Sequence, residues 1–306
     1  MSSLILCSPA KINLCLEVWR RRDDGYHEIT TLMQMVDLAD VVRLERRDAG
    51  ITLTAEGLPV PAGAANLAFR AAERFLAAAG PGGAHIHLVK RIPVGGGLGG
   101  GSSNAAAVLW GLNRLWEEPL GLDCLTELAA ALGSDVPFFL STGFAWAEGR
   151  GEHIRPAGPG PQRWAVVVDP GFEVSTAWAY RQLPDTFPLT PDDRLPNIKA
   201  LIARGDVARA LELAFNRLEE AVLPCFPRLA ELKTVLIDAG ARPALLSGTG
   251  ACLFGLAESR EGADRVAECV SGAGARGHVC RTLAANPILD RGVPPPGAGT
   301  ARENRR

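Results

Sequence analysis

The sequence predicts an α+β fold of two domains with a cleft between them. Three observations carry that expectation: strand-like and helix-like segments recur in both halves, a Pro/Gly-rich stretch at 155–162 separates the halves, and 306 residues suffice for two cores of ordinary size. The boundaries fall at 1–156 for the first domain, 157–286 for the second, and 287–306 for a disordered tail. In that tail the proline run and the terminal arginines leave too few apolar residues to offset the entropy of ordering.

Ile12, Leu14, Leu16 and Val18 alternate with Lys11, Asn13, Cys15 and Glu17, the period of a half-buried strand, so Lys11 and Asn13 project from one face while the aliphatic set packs on the other. Further strands are expected at 41–46, 51–55 and 84–89, and Asn66 is placed to cap a helix running to about residue 79. Helices are expected at 103–116 and 123–132, and 136–140 and 143–148 read as short buried segments. The second half opens with a strand at 164–168. Helical spacing follows at 227–239 and 261–271, with strands at 244–247 and 252–256 around a glycine turn.

A net charge of −2, with both signs spread along the chain, argues against a nucleic-acid partner, which would need a basic face. The seven cysteines are odd in number, widely spaced and free of any Cys-x-x-Cys pair. They read as buried thiols rather than as a disulfide framework or zinc ribbon. No basic leader precedes an apolar core and no run is long enough to span a bilayer, so the expectation is a cytoplasmic protein without a membrane partner.

The most informative stretch runs from Arg91 to Asn104, Arg-Ile-Pro-Val-Gly-Gly-Gly-Leu-Gly-Gly-Gly-Ser-Ser-Asn, and leads into an alanine-rich helical segment. Six glycines in seven positions remove the Cβ atoms that would keep a polyphosphate from the backbone, and Ser102 or Ser103 suits an N-cap. A helix start adds unpaired N–H groups and the positive end of the macrodipole. A plain linker would not sit between an alternating run and a strongly helical one, so the loop reads as a phosphate cradle.

Phosphoryl transfer to an alcohol needs a cradle, a cation near the transferring group and an acceptor for the hydroxyl proton. Asp135, in Gly-Ser-Asp-Val-Pro at a turn opening an apolar segment, is a candidate acceptor and reads equally well, alone, as a turn cap. Lysine occurs only at positions 11, 90, 199 and 233. Lys11 is the candidate cation, and a snorkelling surface lysine is its plainer alternative. Asn13, on the same strand face, suits a hydrogen bond to the acceptor hydroxyl. Tyr26 and His27 follow an Asp-Gly turn and suit a flat polar ring by stacking and edge hydrogen bonds; a structural loop pair is the alternative. His85 and His87 share a strand face without a third ligand near in sequence, so no metal site is assigned. Ser247-Gly-Thr-Gly250 reads as either an amide nest or a tight turn, and Asn216-Arg-Leu-Glu219 is a weaker polar segment.

Taken in this order, Pro-Ala-Lys-Ile-Asn-Leu, Arg-Arg-x-Asp-Gly-Tyr-His-Glu, Gly-Leu-Gly-Gly-Gly-Ser-Ser-Asn-Ala-Ala and Gly-Ser-Asp-Val-Pro-Phe-Phe resemble the GHMP kinase superfamily. These are small-molecule kinases that bind ATP without a Walker A loop. The two N-terminal motifs narrow the resemblance to the branch that phosphorylates a cytidine-diphosphate-linked methylerythritol in the non-mevalonate isoprenoid route. The resemblance implies a two-domain GHMP kinase fold with its active site in the interdomain cleft. It implies ATP as co-substrate with Mg²⁺, a small-molecule cytidine diphosphate substrate, and a monomer or homodimer. It makes Lys11 and Asp135 the catalytic pair and sets Asn13 beside the reacting hydroxyl. Tyr26 and His27 would hold the cytosine and Lys90 would lie near the nucleotide. The nucleotide loop would comprise Pro93, Gly95, Gly96, Gly97, Leu98, Gly99, Gly100, Gly101, Ser102, Ser103 and Asn104. Asn104, where many members carry aspartate, and Thr249, in place of a frequent serine, are mild departures. A kinase of homoserine, mevalonate or a sugar, or a non-catalytic nucleotide or metabolite sensor, are the competing readings.

Overall fold

The computed structural model describes residues 2–183 and 192–289. Its first half winds through β1 (Ser3–Arg21), β2 (His27–Arg47), β3 (Gly50–Gly57), α1 (Leu67–Ala79), β4 (Gly83–Lys90), α2 (Gly100–Leu115), α3 (Leu122–Leu132), β5 (Phe144–Gly149) and β6 (His153–Pro156). The second contains β7 (Trp164–Asp169), α4 (Thr176–Arg181), α5 (Arg194–Ala203), α6 (Val207–Glu212), β8 (Phe215–Asn216) and α7 (Glu219–Val222). It finishes with α8 (Pro227–Asp238), β9 (Ala244–Leu246), β10 (Leu253–Ala257), α9 (Arg260–Gly272) and β11 (Arg276–Arg281).

Two sheets organise the described residues. The larger runs β3-β4-β2-β1-β8, with β5 also paired to β2 and β6 to β5; the smaller is an antiparallel β11-β7-β10-β9. Helices α1 to α3 cover one face of the large sheet through Phe75, Leu109, Leu112, Ile86 and Leu44. Its other face meets the small sheet through Ile12, Leu14, Phe144, Val167 and Phe254. The far face of the small sheet takes α8 and α9 through Leu232, Leu236, Val266 and Val270. Each apolar stripe and sheet face is thus buried against a neighbouring layer.

This layering corrects the expectation of a half-buried first strand. β1 is enclosed on both faces, so Lys11, Asn13, Cys15 and Glu17 are all buried along with the aliphatic set. β2 extends well beyond the expected 41–46 and pairs with β1 along most of its length, with register slips between Asn13 and Cys15 among others. The buried segment expected at 136–140 is a 3₁₀ turn over Pro137–Leu140, because Pro137 favours a helical start over a ladder position.

The sequence expectation of a disordered tail from residue 287 fails at its first residues. Ile288 is fully buried, its amide donates to Asn286 Oδ1 at 3.0 Å, and Ile288 and Leu289 pack on the core under α1 to α3. Residues 290–306 lie outside the described residues. The thiols are also less uniform than expected. Cys15, Cys252 and Cys280 are buried, whereas Cys225 and Cys269 are exposed, and these cysteines are all free. No helix among the described residues is long and apolar enough to cross a membrane.

Candidate active site

A cleft of about 960 Å³ opens between the glycine loop, the N-terminal hairpin and the start of α4, and its walls come from both halves of the chain. Lys11 and Asn13 form its floor. Their strand is enclosed, so the charge is held in a confined place: Lys11 is 3% exposed, donates to Asn13 Oδ1 at 2.6 Å, and stands 3.8 Å from Asp135 Oδ2. Asn13 Nδ2 donates to Thr31 Oγ1 at 2.9 Å, and that hydroxyl donates to the Cys15 carbonyl at 2.7 Å, which fixes the amide so that its oxygen faces the lysine. Burial pulls the Lys11 ammonium below the usual lysine range, and the Asp135 carboxylate pulls it back up. Asp135 itself reaches open solvent, its side chain being 38% exposed.

The glycine loop closes one side. Gly97 and Gly99 have φ of 73° and 69°, the left-handed region that glycine adopts without cost. A Cβ at Gly97 would stand 2.0 Å from the Ser247 carbonyl oxygen, and one at Gly99 about 3.1 Å from Lys11 Cγ, so the loop lies against both the lysine strand and the Ser247–Gly250 turn. The following helix starts earlier than the sequence suggested. Gly99 is the N-cap of α2, and the first intrahelical bond runs from Ser103 N to the Gly99 carbonyl at 2.8 Å. Ser102 and Ser103 are therefore inside the first turn rather than capping it. Gly100, Gly101 and Ser102 supply the amides that a helix start leaves without intrahelical acceptors. Gly97, Gly99 and Ser102 line the cleft.

The Ser247–Gly250 turn packs directly on the loop, and Gly248 and Thr249 line the cleft beside it. Ser247 Oγ donates to the Gly97 carbonyl at 3.0 Å, and Cys252 N donates to the Gly96 carbonyl at 3.2 Å. Gly248 sits where a Cβ would come 3.3 Å from Lys11 Nζ. Asn216 braces this turn from behind, donating to the Leu246 and Gly248 carbonyls at 2.9 and 2.7 Å. Glu219 accepts from Leu246 N at 2.7 Å. The segment that looked weak in the sequence thus holds the turn whose role the sequence left open.

Tyr26 and His27 both line the cleft but face different partners. Tyr26 is 54% exposed, with the Arg150 guanidinium 4.9 Å from its ring centre. His27 stacks on Tyr180 at 4.8 Å with 23° between the planes, and burial and then the Arg21 charge lower its pKa. Sequence reasoning missed Tyr180, Arg150, Thr31 and Thr176. The one available signal was that Tyr180 is the chain's only other tyrosine.

Lys90 and Asn104 meet beneath the glycine loop rather than on the cleft wall. Lys90 is buried in an ion pair with Asp40 and donates to Asn104 Oδ1 at 3.0 Å, beneath the loop. Ser103 is likewise turned inward, accepting from Ser8 Oγ at 2.8 Å. Pro93, Gly95 and Gly96 also lie off the cleft wall, Gly96 against Cys252.

Comparison with known proteins fits this geometry. The family model for the GHMP kinases N terminal domain matches residues 66–143, and the one for GHMP kinases C terminal matches residues 198–276. The fold and the cleft define a small-molecule kinase of the GHMP type. A protein of Pelobacter propionicus named 4-diphosphocytidyl-2-C-methyl-D-erythritol kinase is 42% identical over 288 residues, 92% of this chain and 100% of its own length. One of that name from Pelotomaculum thermopropionicum is 45% identical over 84% of this chain and 90% of its own. A crystal structure of 4-(cytidine 5'-diphospho)-2C-methyl-D-erythritol kinase superposes with a TM-score of 0.77 at 41% identity, covering 91% of this chain and 99% of that one. Homoserine kinase from Cytophaga hutchinsonii shares the fold, with a TM-score of 0.73 at 22% identity over 94% of this chain and 96% of its own. The chain belongs to the 4-diphosphocytidyl-2-C-methyl-D-erythritol kinase family.

Proposed function

We propose that the chain transfers the γ-phosphoryl group of ATP to the 2-hydroxyl of 4-diphosphocytidyl-2-C-methyl-D-erythritol, giving the 2-phosphate and ADP. The observation that carries the reading is Lys11 Nζ held between Asn13 and Asp135 at the edge of the glycine loop. The acceptor oxygen attacks the γ-phosphorus, its bond to the β,γ-bridging oxygen breaks, and the hydroxyl proton passes to Asp135. Lys11 has three N–H donors; one goes to Asn13, one aims at Asp135, and the third is directed at the phosphoryl oxygens where charge develops. The transition state is loose and demands little covalent chemistry, so positioning and electrostatics carry most of the rate.

The amides from Gly97 to Ser102 cradle the polyphosphate, and the absence of Cβ atoms there is what lets it approach. Mg²⁺ fits this donor set as a phosphate-bound ion. Among the described residues no three His, Cys, Asp or Glu side chains are gathered to hold a metal; such an ion would take phosphate oxygens and water as its main ligands, with Asp135 the carboxylate on the cleft wall beside it. It would supply charge neutralisation on the polyphosphate. Tyr26, His27 and Tyr180 offer flat faces and a ring nitrogen suited to cytosine within the same cleft.

ADP release from Mg-ATP, measured with the cytidine substrate beside homoserine, mevalonate and methylerythritol phosphate lacking cytidine, tests the proposal. Turnover confined to the cytidine substrate is expected. Equal turnover with another acceptor would keep the kinase and discard the substrate, and no turnover with any acceptor would discard both.

A further inference from the structure

Asp40 is a fully buried carboxylate on β2, opposite Ser8 of β1 and next to the point where β2 stops pairing with β4 at Val41 and Val89. Beyond Lys90 the chain leaves the ladder to form the glycine loop, and the amides of Arg91 and Ile92 lose the strand acceptors they would otherwise meet. Asp40 Oδ1 replaces them, accepting from Arg91 N at 2.7 Å and Ile92 N at 3.0 Å. Its Oδ2 accepts from Asn104 Nδ2 at 2.9 Å and from Lys90 Nζ. Lys90 and Ser8 complete the circle on Asn104, through Lys90 Nζ to Oδ1 at 3.0 Å and Asn104 Nδ2 to Ser8 Oγ at 2.8 Å.

Arg91 and Ile92 enter the loop and Asn104 leaves it, so both ends of the loop are pinned to one carboxylate. We infer that Asp40 is a positioning residue for nucleotide binding: with Lys90 as its buried counter-ion, it clasps the two ends of the glycine loop and holds the Gly97 to Ser102 amides in the shape that receives the polyphosphate. A loop with six glycines has more conformational freedom to lose than any other, and a fixed span between its ends removes part of that loss before ATP arrives. A buried charge is costly unless paired and hydrogen-bonded, and Asp40 uses both oxygens for partners that belong to the loop or face it. This rests on the ATP-dependent reading above, but the clasp itself is a property of the chain without nucleotide.

The double variant Asp40→Leu/Lys90→Met removes both charges and leaves no charge uncompensated, so it avoids the main route to unfolding. Hydrogen–deuterium exchange without nucleotide is expected to quicken across residues 94–103 while the strands β1 and β2 keep their protection. The dissociation constant of a non-hydrolysable ATP analogue is expected to weaken by about tenfold, the range of a lost hydrogen bond to a charged group. The KM for the cytidine substrate should stay within about threefold, a change worth less than the net value of one typical hydrogen bond. Asp40→Asn/Lys90→Met, which keeps an oxygen for the two entry amides, should weaken the analogue less. Asn104→Ala leaves the ion pair in place and frees only the loop's exit, so it tests the clasp even where the double variants fail to fold. Unchanged exchange in the loop with unchanged analogue affinity in the folded variants would overturn the inference, as would an equal rise in both substrate constants. Quickened loop exchange in a protein that turns over no acceptor would keep the clasp and discard the kinase reading.

Discussion

Replacing Asp135 with Asn tests the centre of the proposed chemistry. Two unit charges 3.8 Å apart attract by about 1 kcal/mol in water and about 4 kcal/mol at an effective dielectric of 20. Asp135 is over a third exposed, so solvent screening places the value toward the lower end, and the folded state should lose no more than about 1 kcal/mol. Turnover should respond far more strongly, because loss of a proton acceptor typically costs roughly 10²- to 10⁴-fold. The pH profile gives a second, independent reading. Lys11 works as a cation whose pKa burial depresses and Asp135 partly restores. Without that carboxylate its pKa falls further, so deprotonation on raising the pH begins sooner and the alkaline limb of kcat shifts to lower pH. ADP release between pH 6 and 11 would be measured, about the span needed to bracket an ordinary lysine and a lowered one, with chemical denaturation as the control for folding. Turnover within about threefold of wild type, well under the ordinary cost of losing such a group, together with an unmoved alkaline limb, would refute the roles of both residues.

Gly97→Ala should lower stability by about 1–3 kcal/mol from its positive φ alone, and more from the contact with Ser247 O, with analogue affinity falling in parallel; urea unfolding and calorimetric titration measure the two. Tyr26→Ala should raise the KM for the cytidine substrate by roughly tenfold and leave ATP binding alone, and an unchanged KM would remove the ring from substrate recognition. Asn216→Ala should cost about 2–3 kcal/mol, since two turn carbonyls and the Leu218 amide lose a buried partner, and thermal unfolding reads it directly. His27 should titrate below the usual histidine midpoint because burial and Arg21 both disfavour its cation, and Arg21→Gln should move the NMR midpoint upward; no movement would assign the depression to burial alone.

The site was legible wherever local chemistry needs a particular residue at a particular spacing. A run of glycines ahead of a helix reads as an anion cradle because its backbone amides are uncovered, and Lys11, Asn13 and Asp135 drew notice only beside it, each having a plainer reading on its own. The element pattern was legible for the same local reason, as with Asn66, whose side chain does accept from Ala68 N at 2.9 Å at the start of α1. What the sequence hid was which side of a layer each residue would face. Lys90 and Lys11 both end up almost wholly enclosed, yet one turns beneath the glycine loop to Asp40 and the other into the cleft. Only the packing of β1 and β2 between helices and a second sheet decides between those fates.

The remaining surprises have one cause, the meeting of segments far apart in the chain. Tyr180 reaches His27, Asn216 reaches Gly248, and Ile288 returns to the core of the first half, and no periodicity in the sequence marks any of these meetings. The sequence by itself determined the α+β character, the glycine run ahead of a helix and the residue types proposed for the transfer, since each follows from short-range backbone and side-chain chemistry. The tertiary structure alone decided which buried lysine opens on the cleft and which is locked beneath the glycine loop, because burial and long-range pairing assign a charge its partner.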